Sequence, residues 1–438
     1  MNYSPDECHT PMRIFVRIRA TPEKDQTQLK QPSASSTQGL PNFVYNFRNK
    51  METVSQILTQ LEDKIHAIQK QPVSKKAVVG FDGFVDSIRK AVKTRDAAGA
   101  HYYNTLVEFA ERIKRASGKS GQIETEVKRT KIGGNAPILS AALSNFKIHT
   151  TCLGSIEHPI FEPLANLCKT ISILPPGESD AIEFDDGKLI LSDLGVFDKY
   201  DWNFIKWAVG IDTLKSIIEE AQVVALVDWA NIIHAGDIWD GILHDVIKPS
   251  GRKDYTFFFD LCDPSKRTAS EIDELLDLIS DFSHYGSVTL GLNTNEAIAI
   301  WSALTGNTKS DSIEEAGRFI HYTMNIDNLL IHPVDRTIVF TRKSIIELPG
   351  RFVTNPKIQT GGGDNLNAGF ILGQLAGFTL DESIILGMVA SGSYIQEGKS
   401  ADLDGLLKYI KVWNSELKSK ADVLVEKKPI AFTFPLHC

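Results

Sequence analysis

Val288-Thr289-Leu290-Gly291-Leu292 runs straight into Asn293-Thr294-Asn295-Glu296 and then into Ala297-Ile298-Ala299-Ile300-Trp301-Ser302-Ala303-Leu304. A short, nearly continuous apolar run followed by a longer one at helical spacing reads as a strand, a polar junction and a helix. The same unit recurs along the chain. Strands are expected at 77–80, 149–154, 223–228, 256–260, 328–332 and 337–341, and helices at 138–146, 204–221, 270–282, 364–376 and 380–397. Strands that are apolar along their whole length are buried on both faces. Repeated strand–helix units of this kind predict the α/β class, with a mostly parallel sheet covered by helices on both sides.

The ends of the unit series are marked by composition. Residues 1–50 contain Pro32-Ser33-Ala34-Ser35-Ser36-Thr37-Gln38-Gly39 and little to bury, so they read as a poorly ordered extension with at most a short strand near 14–18. After Met51, the residues Val54, Ile57, Leu58, Leu61, Ile65 and Ile68 fall on one face of a helix, and a packed body over 51–438 begins there. Two stretches break the strand–helix rhythm. Residues 88–131 are rich in charge. Residues 180–193 alternate weakly about Asp185-Asp186-Gly187 and read as a hairpin. Both are candidates for a small lid over the edge of the sheet.

The bulk numbers exclude classes rather than name one. Net charge is −8, which argues against a general nucleic-acid binder. The five cysteines are scattered and contain no C-x-x-C pair, so a reducing compartment is expected, without a disulfide framework or zinc site. No apolar run approaches a membrane span, and the expected location is the cytoplasm.

The chemistry lies at the junctions. Near the C-terminal end, Thr360-Gly361-Gly362-Gly363-Asp364-Asn365-Leu366 leads into an apolar helical run. Consecutive glycines let backbone amides converge, and a helix start behind them adds positive dipole, so Gly361, Gly362 and Gly363 form an anion hole. Asp364 at its rim would repel phosphate. It makes sense as a base that takes the proton of a hydroxyl attacking phosphorus. Asn293 and Glu296 cap the helix after their strand, or they organise a cation and phosphates at the carboxyl edge of the sheet. In Gly80-Phe81-Asp82-Gly83-Phe84-Val85-Asp86, one or both aspartates can accept hydrogen bonds from a polyol. Gly133-Gly134-Asn135 opens a helix of small residues, and reads either as a helix entry or as a close backbone approach to a ligand. In Asp263-Pro264-Ser265-Lys266-Arg267 the first signal is a turn, with a phosphate-side role for Arg267 as the second.

In this order, over about residues 77–400, the motifs resemble the ribokinase/PfkB carbohydrate kinase family. The resemblance implies a doubly wound, mostly parallel sheet with a small β lid, and a reaction that moves the terminal phosphate of ATP to a sugar hydroxyl. It implies Asp364 as catalytic base, Gly361–Gly363 as anion hole, Asn293 and Glu296 as organisers of Mg2+ and donor phosphates, and Asp82 or Asp86 with Gly133, Gly134 and Asn135 at the sugar. The partners implied are a sugar or sugar phosphate and a nucleotide, with no nucleic acid and no membrane, and a homodimer through the lid edge is one arrangement the family allows. The chain departs from the pattern at three places. Ile358-Gln359 stand where the family reads Asp-Thr, Ile138 where a further Asn is common, and Ile331-His332-Pro333-Val334-Asp335-Arg336 where a Thr-x-Gly loop is common. Three alternatives accompany the main reading. They are an ADP-dependent sugar kinase, although the chain lacks a His-x-Glu of the kind those enzymes carry, a nucleoside kinase, and a sugar sensor without turnover.

Overall fold

Every residue of the strand Val223–Val227 is buried. Successive side chains point to opposite faces of a sheet. Accordingly Val223, Ala225 and Val227 join one hydrophobic core, and Val224 and Leu226 join another. Two cores, one on each side of a sheet, are what uninterrupted apolar strands require. The computed structural model describes residues 39–307, 310, 312–358 and 360–426. The strand expected near 14–18, Gln359, Cys8 and Cys438 lie outside these residues.

The chain divides into two units, Met1–Tyr45 and Asn46–Cys438. The described residues of the first are helical and belong to the helix Gly39–Lys70, which therefore starts ahead of Met51. All six apolar residues read as one face of this helix, Val54 to Ile68, are buried in a core of the second unit. That unit carries fourteen strands: β1 (Lys76–Phe81), β2 (Phe84–Asp96), β3 (Gly99–Tyr102), β4 (Thr125–Gly133), β5 (His149–Gly154), β6 (Lys169–Ser172), β7 (Gly177–Phe184), β8 (Gly187–Asp193), β9 (Val223–Val227), β10 (Tyr255–Asp260), β11 (Gly286–Leu292), β12 (Asn328–Ile331), β13 (Arg336–Thr341) and β14 (Ile345–Pro349).

Nine strands form the main sheet in the order β14-β13-β12-β11-β10-β9-β1-β5-β6. It is parallel from β6 to β12, and β13 and β14 are antiparallel to their neighbours. The chain winds outward from β1 through β5 and β6, then returns to the other side of β1 with β9. A doubly wound sheet binds ligands at such a reversal, outside the carboxyl ends of its strands. Asp82, Asp228, Asp260, Asn293 and His332 all stand at carboxyl ends of this sheet.

The remaining strands, β2, β3, β4, β7 and β8, form a second, smaller sheet. It contains the segments 88–131 and 180–193. The turn Asp185-Asp186 joins β7 to β8 as a hairpin, with Phe184 opposite Gly187. A small core of Ala91, Tyr103, Phe109, Ile182 and Phe184 holds this sheet against the helix Leu106–Lys114, which the polar reading of 88–131 did not resolve. The single helix expected over 204–221 is two helices, Trp202–Val209 and Ile211–Glu220. Gly210 separates them with φ of 87°, a left-handed conformation that ends one helix and opens the next. No helix among the described residues is long and apolar enough to cross a membrane.

Candidate active site

The helix Gly362–Leu375 opens directly behind Gly361, whose φ of 96° is accessible to glycine at low cost. Tyr394 holds this turn by donating from its hydroxyl to the Thr360 carbonyl at 2.8 Å. A Cβ on Gly361 would come within 2.7 Å of that same hydroxyl. Asp364 therefore sits in the first turn of a helix that begins with three glycines. It is 7% exposed, and its Oδ1 accepts from Asn135 Nδ2 at 2.9 Å. Burial raises its pKa well above the usual carboxylate range, and Asp260 adds to the shift, while Lys131 and Asn135 oppose it. Asp260 is itself placed by this helix, since Asn367 Nδ2 donates to its Oδ2 at 2.8 Å.

Asp364 lines a cavity of about 470 Å³ between the two sheets. Asp86, Gly134 and Asn135 line it as well, with Ser179 and Lys188 from the smaller sheet. Asp86 is fixed on two sides, by Ser179 Oγ at 2.6 Å and by the Lys131 ammonium at 3.1 Å. Asp82 and Gly133 stand behind this wall. Asp82 is fully buried and accepts from the Asn135 and Ala136 amides at 2.7 Å each, so it caps the helix Asn135–Asn145. Of the two aspartates left open by the sequence, the cavity is lined by Asp86. Gly133 gives Asp86 its room, because a Cβ there would lie 2.1 Å from Asp86 Oδ1. Gly134, with φ of 90°, does the same for Asp82.

Asn293 and Glu296 combine both of their readings. They form a capping box: Asn293 Oδ1 accepts from the Glu296 amide at 3.0 Å, and Glu296 Oε2 accepts from the Asn293 amide at 2.8 Å. Both also line the same cavity, together with Asp228, Asp260 and Asp263. Burial, then Asp260, raises the Glu296 pKa well above its usual range. Burial likewise raises Asp228 and Asp260, and Asp228 Oδ2 is buried without a hydrogen-bond partner among the described residues. Crowded, buried carboxylates favour protons or a cation.

A second cavity of about 640 Å³ adjoins the first. The two share Lys188, Asn293, His332 and Gly363. Gly362 lines the second only, and Gly361 and Asp364 the first only. Val334 and Phe352, 87% and 67% exposed, give the second cavity apolar walls. Burial pushes the His332 pKa down to about 4, so its imidazole is neutral at pH 7. A wider open groove of about 1150 Å³ beside the helix Ile313–Thr323 holds none of these residues.

Sequence reading missed Lys188, Lys131, Lys266, Asp228, Asp260 and His332 as members of the site. Asp228 and Asp260 could have been found, since each follows or ends an apolar strand as Asp82 does. Arg267 turns inward. Its guanidinium donates to the Trp229, Ile232 and Ile233 carbonyls, pairs with Glu271 and stacks on Trp229, and it lines neither cavity.

Comparison with known proteins agrees with this arrangement. A family model of prokaryotic ketohexokinases matches residues 55–412. A ketohexokinase of Haloferax volcanii is 23% identical over 340 residues, spanning 76% of this chain and 89% of that protein. Among solved structures, a probable sugar kinase from Rhizobium etli aligns with a TM-score of 0.56 and 17% identity, over 79% of this chain and 99% of its own. An Arabidopsis thaliana ribokinase complexed with ribose and ATP aligns with a TM-score of 0.53 and 17% identity, over 77% and 99%. The chain belongs to the prokaryotic ketohexokinase family and is a carbohydrate kinase.

Proposed function

We propose that the cavity around Asp86 and Asp364 takes a ketohexose, that the adjoining cavity takes ATP, and that Asp364 is the base. The observation that carries this reading is the shared wall. Gly363 and Asn293 border both cavities, and Asp364 borders the first immediately beside them. A hydroxyl in one cavity and a terminal phosphate in the other would meet there.

In this mechanism Asp86 and Asn135 orient the sugar through hydrogen bonds to its hydroxyls. The amides that open the helix Gly362–Leu375 stabilise charge on the transferring group, with the helix dipole behind them. Asp364 takes the hydroxyl proton as its oxygen bonds to phosphorus. Its raised pKa suits that role, since a base titrating nearer to neutral accepts a proton more readily. The smaller sheet roofs the acceptor cavity with Ser179, Ala181 and Ile190, which excludes water that would otherwise hydrolyse the nucleotide.

The acidic wall fits Mg2+. Its donors Asp228, Asp260, Asp263 and Glu296 are all oxygen, and Asp228 Oδ2 lacks a partner. Among the described residues no three of His, Cys, Asp and Glu form a preformed cage. Mg2+ needs none, because it keeps water and phosphate ligands beside one or two carboxylates. Glu296 and Asp260 would hold it, directly or through water, and it would neutralise charge on the donor phosphates.

The test is a panel of ketohexoses, aldoses, sugar phosphates and nucleosides against ATP and ADP, read as nucleotide product and phosphorylated acceptor. ATP-dependent phosphorylation of a ketohexose with the best kcat/KM supports the reading. Preference for ADP, or for a nucleoside, overturns it in favour of the corresponding alternative. Binding of sugar with no phosphate transfer would point to a sensor.

A further inference from the structure

Lys188 lies on β8, early in the second arm of the hairpin that the smaller sheet lays over the active site. Among the described residues it is the one lysine or arginine that lines both cavities. Its ammonium donates to Thr360 Oγ1 at 2.9 Å, one residue before the glycine run. The other cations of these cavities are committed elsewhere. Arg351 is held by Glu416, Arg336 by Glu314, and Lys266 by the Asn231 amide oxygen. Among the described residues Lys188 forms no ion pair with a carboxylate, and an ammonium has three donors of which this bond uses one. Burial, then the Lys131 charge, lowers its pKa, so an anion placed against it would recover its positive form.

We propose that Lys188 is a catalytic residue whose ammonium binds the terminal phosphoryl group of the nucleotide as that group passes from the donor cavity to the acceptor cavity. This assignment rests on reading the two cavities as acceptor and donor sites. In the step, the acceptor hydroxyl oxygen bonds to the terminal phosphorus. The bond from that phosphorus to its bridging oxygen breaks, and the electron pair leaves with the shortened nucleotide. The hydroxyl proton goes to Asp364. Lys188 donates hydrogen bonds throughout and keeps its proton. Because the ammonium arrives on β8, the phosphate site is complete only when the hairpin covers the sheet. Closure of the smaller sheet is thereby coupled to transfer, and an open site would hydrolyse nucleotide slowly.

The test compares Lys188→Met and Lys188→Arg with the natural chain. Lys188→Met should lower kcat by about 10²-fold or more, as removal of one charge-stabilising donor does. The sugar KM should stay within about threefold, because the lost contact is to phosphate rather than sugar. By calorimetry, Lys188→Met should weaken a non-hydrolysable imido analogue of ATP by about tenfold or more while leaving adenosine unchanged. Lys188→Arg should recover part of both losses. Unchanged kcat overturns the proposal. So does an equal loss of analogue and adenosine affinity accompanied by a fall in Tm, which would mark Lys188 as a structural tie to Thr360. If the natural chain phosphorylates no sugar, the functional reading fails, and the analogue-against-adenosine comparison still decides Lys188.

Discussion

Gly133→Ala places one methyl group against the residue assigned to sugar binding. The new Cβ would stand 2.1 Å from Asp86 Oδ1, 2.3 Å from its Cγ and 2.7 Å from Oδ2. Carbon and its neighbours rest at roughly 3.5 Å, so the carboxylate must move by about 1 Å. It cannot move freely. Ser179 Oγ at 2.6 Å and Lys131 at 3.1 Å hold it from the other sides, and both side chains of the Lys131–Asp86 pair are nearly buried. Gly133 has no left-handed φ, so the backbone itself accepts alanine and the effect is steric. Overpacking of this kind costs about 1–3 kcal/mol. A reacting geometry misplaced by about 1 Å loses on the order of 10²-fold in rate. The expected result is a fall in kcat/KM for the sugar of about 10- to 100-fold, with the nucleotide KM within about threefold. The assay is steady-state kinetics with each substrate varied in turn, accompanied by a melting curve. Unchanged sugar kinetics, or a change confined to the nucleotide KM, would refute the placement of Asp86 at the acceptor.

Three further outcomes are expected. The base works ionised, so kcat/KM should fall as pH drops through the raised pKa of Asp364, on a limb above the ordinary carboxylate range; a limb near pH 4 would contradict this. Asn135→Ala removes a donor that stabilises the Asp364 carboxylate, and should move that limb to higher pH in the pH–rate profile. Glu296→Gln keeps a residue competent for the capping box but removes its charge, so Tm should hold while the Mg2+ concentration for half-maximal rate rises about tenfold; an unchanged Mg2+ requirement would count against Glu296 as a metal-side residue.

The doubly wound sheet was legible because burial on both faces forces strands such as Val223–Val227 to be apolar throughout. The glycine run and Asn293–Glu296 were legible because helix starts at a sheet edge need particular residue types. The choice between Asp82 and Asp86 was not. Both follow β1 closely, and which one faces the cavity depends on the turn that carries the chain from β1 into β2. Asp82 is drawn instead to the free amides of a helix more than fifty residues later in the chain, at Asn135 and Ala136. Lys188 was invisible for a similar reason. Nothing local in a hairpin signals that its lysine will reach Thr360, 172 positions away. The helix break at Gly210 was missed because the apolar spacing continues across it, and only the backbone of the glycine interrupts the run.

The most direct test of the account is Asp364→Asn. The variant keeps the shape of the side chain and its place beside Asn135, and removes the ability to take a proton. Its turnover should fall by about 10²- to 10⁴-fold. Sugar and nucleotide should still bind by calorimetry. Because the native carboxylate is ionised against its burial, folding stability falls as pH rises through its raised pKa, and the neutral amide should melt no lower than the natural chain at pH 7. Near-natural turnover by a folded Asp364→Asn protein would contradict the assignment of the base and the mechanism built on it.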